Sequence, residues 1–176
     1  MVEPILSILI PTLVGREEML DNLIFKTLKS QCDFEIGLIG GYSGRDVLPV
    51  EIFWNTDAGE TTTGGKRNQL LQWANGKYVV FVDDDDDVMP YYIEEILKAA
   101  EQDCDCIGMC GIMTTNGGNE IGWELSKDFK NDTVIRNGRS FYTRTTNHIS
   151  PVKRELALKA MFPEISNGED KGYSEA

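Results

Sequence analysis

Apolar positions along the chain gather into short runs separated by turns and by stretches with helical spacing. Leu6 to Ile10 is a compact, largely β-branched run ending at Pro11, and from Arg16 to Gln31 core-type side chains recur at Leu20, Leu23, Ile24, Thr27 and Leu28. A strand followed by an amphipathic helix is predicted. Phe34 to Ile39 reads as a second strand stopped by Gly40-Gly41, and Val50 to Trp54 as a third, ahead of a Gly/Thr-rich loop closed by Gly64-Gly65. Lys66 to Asn75 has helical spacing through Leu70, Leu71 and Ala74, with Gly76 where a helix C-terminal glycine is expected. Tyr78 to Val82 is the clearest buried strand, running straight into Asp83 to Asp87, and Pro90 then opens a helix over Tyr91 to Gln102.

Strands alternating with helices imply an α/β domain, Rossmann-like, with a mostly parallel central sheet whose ligands gather at the carboxyl ends of the strands. Residues 1–102 therefore read as a nucleotide-binding half. The pattern loosens afterwards: an apolar strand from Cys106 to Thr114, a Gly/Asn turn at Asn116 to Asn119, then a polar stretch with Trp123, Phe129 and Phe141 that supports only weak strands and loops. Ser150-Pro151 has the form of a cap and first-turn proline for a helix reaching about Met161. No internal repeat or linker divides residues 1–176, so one domain is expected.

Composition narrows the function. Seventeen basic against twenty-nine acidic residues give a net charge of −12, while 41% hydrophobic residues suffice for a core. A chain this acidic lacks the basic stripe that tracks phosphates, so a nucleic-acid partner is not expected and a phosphate-bearing ligand would need a cation. The apolar stretch Ile5 to Leu13 is interrupted by Ser7, Pro11 and Thr12 and is too short to span a bilayer, so a cytoplasmic chain with no transmembrane segment is expected. Cys104, Cys106 and Cys110 lie in an apolar run without a nearby histidine, which predicts buried strand thiols instead of a zinc site.

Asp83 to Asp87 place five carboxylates together after a buried strand, where their repulsion calls for relief. Three readings fit the run: a solvated acidic turn, a calcium loop, or a pair of carboxylates holding a divalent cation against a nucleotide diphosphate. The calcium loop finds Asp83, Asp85, Asp87 and Glu94 at its first, third, fifth and twelfth positions, but Val88 stands where its glycine is needed and Pro90 interrupts it. Gly59 to Lys66 is one residue too long for a phosphate loop, and Arg67 replaces its Ser or Thr.

Four segments, LSILIPT at 6–12, TGGKRNQLLQWANGKYVVFVDDDDDVMP at 63–90, PVKRELALKAMFPEI at 151–165 and NGEDKGY at 167–173, together resemble glycosyltransferase family 2, the nucleotide-sugar transferases of the GT-A fold. The proline five positions after the second metal-side aspartate sets the register as Asp83-x-Asp85-Asp86 with Pro90. The resemblance implies Pro11 and Thr12 beside the nucleoside, Arg67 facing the nucleotide and Lys66 at the diphosphate. Asp83, with Asp84 next to it, would meet the donor on the ribose side, and Asp85 with Asp83 would hold Mn or Mg. Asp170 matches the general base of the inverting members, with Glu169 holding the acceptor or raising the pKa of Asp170. The same resemblance implies a UDP-sugar donor and a glycan, lipid-linked or small-molecule hydroxyl acceptor, met by residues 103–176.

Two departures qualify the match. Gly40-Gly41-Tyr42-Ser43 stands where the family carries Asp-Asp-Gly-Ser, and the chain ends six residues after Asp170 without the Q-x-x-R-W motif, which implies a short or C-terminally truncated enzyme. His148 is the sole histidine; it is read as a polar contact or as an additional metal ligand. Trp73 is assigned to the core by its helical spacing, and Trp123, in a Gly-flanked polar stretch, is a candidate acceptor platform. The alternative to an enzyme is a non-catalytic nucleotide- or cation-binding module with a degenerate site.

Overall fold

The computed structural model describes residues 4–32, 37–38, 49–115 and 117–176, the pair 37–38 as backbone. Most of the expected strand Phe34 to Ile39, the Gly40 to Ser43 departure and Asn116 lie outside the described residues.

In chain order the described elements are β1 (Leu6–Leu13), α1 (Glu17–Asp21), β2 (Gly37–Leu38), β3 (Val50–Asp57), α2 (Thr63–Trp73), β4 (Tyr78–Phe81), α3 (Tyr92–Ala100), β5 (Met109–Thr115), β6 (Gly118–Leu125), β7 (Asp132–Arg136), β8 (Arg139–Arg144), β9 (Val152–Lys153), α4 (Arg154–Ala160) and α5 (Glu169–Glu175). The central sheet has the order β2-β3-β1-β4-β9, parallel throughout except for β9, which runs antiparallel to β4. β1 is flanked on both edges and covered on both faces. Its residues Leu6 to Ile10 are all buried, which is why they form an unbroken run and not an alternation.

The period of two nevertheless sorts them between two cores. Leu6, Ile8 and Ile10 pack with Leu20, Leu23, Ile24 and Leu28 and with Ile93 and Ile96 of α3, whereas Leu9 packs with Leu70 and Leu71 of α2, Ala157 of α4, Phe162 and Tyr173 of α5. Helices thus cover both faces, the arrangement expected of a GT-A domain. The predicted helix Arg16 to Gln31 is continuous but not uniform: α1 passes into a π-helical stretch, Asn22–Leu28, and a 3-10 turn, Lys29–Gln31.

Several expectations are corrected. Ser150-Pro151 does not start a helix; Pro151 precedes β9, whose pairing with β4 takes the chain across the sheet edge before α4 begins at Arg154. The residue after α2 that matters is Gly76, and its role is close approach, because a Cβ there would lie 2.6 Å from the Ser7 amide. The buried Glu51 carboxylate finishes this helix end, accepting hydrogen bonds from the Ser7 hydroxyl and from the backbone amides of Asn75 and Gly76. Trp73 lies on the outer side of α2 and is 47% exposed, since Leu70 and Leu71 already fill the core face. Cys110 is exposed on β5, and Cys104 and Cys106 are half-buried ahead of it, so the three are not buried strand thiols.

The polar stretch after residue 108 forms a second sheet, β5-β6-β8-β7, in which only β6 and β8 are parallel. Asn137 and Gly138, at φ of 51° and 75°, make the two-residue turn between β7 and β8. Gly111 and Gly122 leave room for the rings of Trp123 and Phe141 on neighbouring strands, so this sheet is held by cross-strand aromatic packing more than by burial. Among the described residues no helix is long and apolar enough to cross a membrane.

Candidate active site

The site is built at the carboxyl ends of β1 and β4, around the first turns of α2 and α5. Thr62 caps α2 by accepting a hydrogen bond from the Gly65 amide at 3.1 Å. Gly64 in that turn is indispensable for packing: a Cβ would stand 1.9 Å from the Pro163 carbonyl oxygen, and its amide donates to the Ile165 carbonyl. Residues 163–165 therefore lie directly on the start of α2, and the chain beyond them delivers α5 to the same place. Phe162 stacks on Tyr173 of α5 with ring centroids 4.0 Å apart, and Gly172 abuts the ring of Pro163.

Arg67, in the first turns of α2, is the hub. Its side chain is 2% exposed, with the guanidinium between the Phe81 and Phe162 rings at 5.8 and 5.6 Å. One terminal nitrogen donates to Glu169 Oε1 at 2.9 Å and the other to both carboxylate oxygens of Asp83 at 2.8 and 3.2 Å. A charge so buried is tolerable only with such partners. Burial pushes the Asp83 carboxyl up, but His148, whose Nε2 lies 3.7 Å away, and the Arg67 charge outweigh it and hold Asp83 at about 2. Arg67 Nε and His148 Nδ1 are buried without a partner among the described residues, the kind of unsatisfied polar atom that functional sites retain.

The remaining aspartates separate by environment. Asp84 is buried: it accepts from the Thr12 hydroxyl and, at 2.6 Å, from Arg16. It anchors the aspartate turn to the end of β1 through the Thr12 side chain. Asp85 is 55% exposed, with the Arg16 guanidinium 3.7 Å from Oδ2. Asp86 is pushed up by burial and by the charges of Asp83 and Asp85, and Asp87 bonds the Val88 amide. Lys66 donates to Asp57 and to the Thr12 carbonyl, each at 2.6 Å. Its ammonium is buried there. Asp57 is held well below the usual carboxylate range by that ammonium.

Glu169 and Asp170 open α5. Glu169 is buried against Arg67, so it holds the helix to the sheet; Asp170 is partly exposed, with its Oδ2 3.8 Å from Arg144 at the end of β8. The Asp83–Arg67–Glu169 chain thus brings the base candidate, the aspartate turn and His148 together. Pro11 sits half-buried beside Asn55 in the β1–β3 ladder. Trp123 is on β6 with its ring over Gly111, in the second sheet. No cluster of three metal-ligating side chains exists among the described residues. Exposed Asp85 is the carboxylate that suits a hard cation such as Mn or Mg, which takes one or two carboxylates and completes its shell with phosphate and water, whereas both Asp83 oxygens already accept from Arg67.

A family model described as glycosyl transferase family 2 matches residues 57–157, more than half of the chain. The chain belongs to glycosyl transferase family 2. The matched span contains Lys66, Arg67, the aspartate run and His148; β1 and Glu169-Asp170 lie outside it, β1 tied to it by its pairing with β4 and the Thr12–Asp84 hydrogen bond, and Glu169 by Arg67. Among solved structures the fold is similar to that of S. aureus TarS 1-349, with a TM-score of 0.60 and 19% identity over 96% of this chain and 54% of that one. The same protein in complex with UDP matches at 0.59 and 19% over 97% and 54%, and in complex with UDP-GlcNAc at 0.58 and 20% over 97% and 52%. This family member therefore has the GT-A fold and spans about half the length of those chains. Comparison with curated proteins found no match.

Proposed function

We propose that this chain transfers a glycosyl group from a nucleoside-diphosphate sugar, a UDP-sugar first among them, to a hydroxyl acceptor with inversion. The observation that carries the reading is the buried Asp83–Arg67–Glu169 chain, which joins the aspartate turn to the helix bearing Asp170. Family membership and the similarity to TarS in complex with UDP and UDP-GlcNAc support the donor class. Residues 1–102 supply the donor side and 103–176 the acceptor side of one unit.

In this reading Asp170 takes the proton of the acceptor hydroxyl. The acceptor oxygen bonds to the anomeric carbon as the bond to the diphosphate oxygen breaks, and the nucleoside diphosphate leaves with the electron pair. Glu169, held by Arg67, positions its neighbour Asp170. Asp83 meets the ribose side of the donor, and Asp84 keeps the turn in register. Bound at Asp85, Mn or Mg would supply positive charge that stabilises the departing diphosphate. Lys66 reaches a diphosphate only by leaving Asp57.

The second reading, a non-catalytic nucleotide-binding module, draws on the engagement of Lys66 and Thr12 with Asp57 and Asp84. A thermal-shift series with UDP, GDP, CDP and dTDP, with and without Mn, on the wild type and Asp85→Ala tests the donor site, because a ligand that binds only the folded state raises its melting temperature. A Mn-dependent rise with UDP that Asp85→Ala loses supports it. Asp170→Asn should keep that rise and lose transfer from the UDP-sugar. Transfer at the wild-type rate in Asp170→Asn would refute the assignment of the base, and a wild type that binds UDP but transfers to no acceptor, water included, would leave the module.

A further inference from the structure

The second sheet holds a groove of about 430 Å³ along β7 and β8, lined by Asn131, Asp132, Thr133, Tyr142, Thr143 and Arg144. It is an open groove, and it neighbours the candidate active site through Arg144, whose guanidinium in the groove wall lies 3.8 Å from Asp170 Oδ2. We propose that this groove is the acceptor subsite and that it takes a neutral saccharide. The inference rests on Asp170 being the base.

Three features select that chemistry. Tyr142, paired with Thr133 of β7 on one side and Trp123 of β6 on the other in the strand register, is the aromatic residue that lines the groove. An aromatic ring presents a flat apolar surface to the C–H face of a sugar. The polar groups beside it are an amide, a hydroxyl and a guanidinium, Asn131, Thr133 and Arg144, and all three are exposed. They donate or accept hydrogen bonds as a ring of hydroxyls requires. Charge argues against an anionic acceptor: Asp132 lines the groove, Asp170 stands 3.8 Å from its Arg144, and the chain carries −12 overall, so the single guanidinium is offset locally. Trp123, expected as the platform, packs its own ring over Gly111; its register neighbour Tyr142 takes that role.

The test uses the full chain labelled with 19F-tyrosine and titrated with methyl glucoside, cellobiose and maltose in the presence of UDP and Mn, with Tyr142→Phe assigning the resonance. The expected result is a saturable shift of the Tyr142 signal by at least one saccharide. Asn131→Ala and Thr133→Ala, at exposed positions where folding is not at stake, should raise its midpoint ~5-fold each, the loss of one hydrogen bond, while UDP affinity stays within twofold of the wild type (about the error of such a titration). A UDP-binding protein whose Tyr142 signal no saccharide moves, or variants that leave the midpoint unchanged, would overturn the groove and leave the donor site standing. Absence of UDP binding would instead strike the reading on which the groove rests. Inorganic phosphate serves as control: a shift with phosphate and with no saccharide would overturn the neutral-acceptor assignment.

Discussion

Replacing Arg67 by methionine tests how the site is held. The side chain is almost wholly buried, and its guanidinium is the hydrogen-bond donor to Glu169 and to Asp83. Methionine keeps much of the volume between the Phe81 and Phe162 rings, so the packing term is small. The electrostatic term is not small. Glu169, 9% exposed at its side chain, would be left as a buried carboxylate without its cation, and breaking a buried pair from one side costs about 3–5 kcal/mol. Asp83 is a third exposed and water can screen it, so it adds about 1 kcal/mol at most. Urea unfolding should therefore show a loss of roughly 3–5 kcal/mol at unchanged m value. Hydrogen exchange should speed up first in α5, which would then be held by the Phe162–Tyr173 stack, the packing of Gly172 on Pro163 and the Arg144–Asp170 pair. The double variant Arg67→Met, Glu169→Leu should recover most of that loss, because a buried ion pair exchanged for apolar groups of similar volume is often neutral. A single variant that loses less than about 1 kcal/mol, or a double variant no better than the single, would refute the account of Arg67 as the strut of α5.

Three further outcomes follow from the same geometry. Asp83 titrates at about 2 in the folded chain against 3.8 ordinarily, so its contribution to stability is complete above about pH 4 and is lost as pH falls through about 2; Asp83→Asn should flatten the acid limb of a stability-against-pH curve over that window, and an unaltered limb would count against the Arg67 and His148 contacts. Gly64→Ala should cost about 1–3 kcal/mol, read by thermal unfolding, because its Cβ would meet the Pro163 carbonyl. Trp73→Ser, at an exposed position, should change stability by no more than about 0.5 kcal/mol, and a large loss would return Trp73 to the core.

The central sheet was legible because its chemistry is local. Leu6 to Ile10 and Tyr78 to Val82 are buried on both faces and have to be continuous apolar runs; the aspartates follow because a strand that ends at a ligand site exposes its next residues. The second sheet was harder to read. Its strands bury little, so Met109 to Thr115 and Arg139 to Arg144 lack a clean alternation, and their pairing depends on Gly111 and Gly122 admitting aromatic rings from other strands. One signal was present in the sequence: Asn137-Gly138 is the dipeptide that a two-residue hairpin turn demands, and both residues have positive φ. Ser150-Pro151 misled because a cap-like pair is equally compatible with a chain entering an edge strand, and only β4 decides between them.

The site shows the same division at the level of single charges. Spacing identifies which carboxylates stand near the end of β4, but not which are spent inside the fold. Asp84 and Asp85 are neighbours of one type, yet Asp84 is consumed by Thr12 and Arg16 while Asp85 stays open to a cation. Glu169 and Asp170 divide in the same way, one against Arg67 and one beside the groove of the second sheet. In both pairs the inward member fixes the direction of the outward one, because adjacent side chains at the start of a turn or helix diverge and anchoring one sets the other. The buried charges of this chain are thus the means by which its exposed charges are aimed. Asp84→Asn should accordingly weaken Mn binding at Asp85, read by electron paramagnetic resonance of the ion, although Asp84 itself is sealed from solvent; Mn affinity equal to the wild type would refute this division of labour.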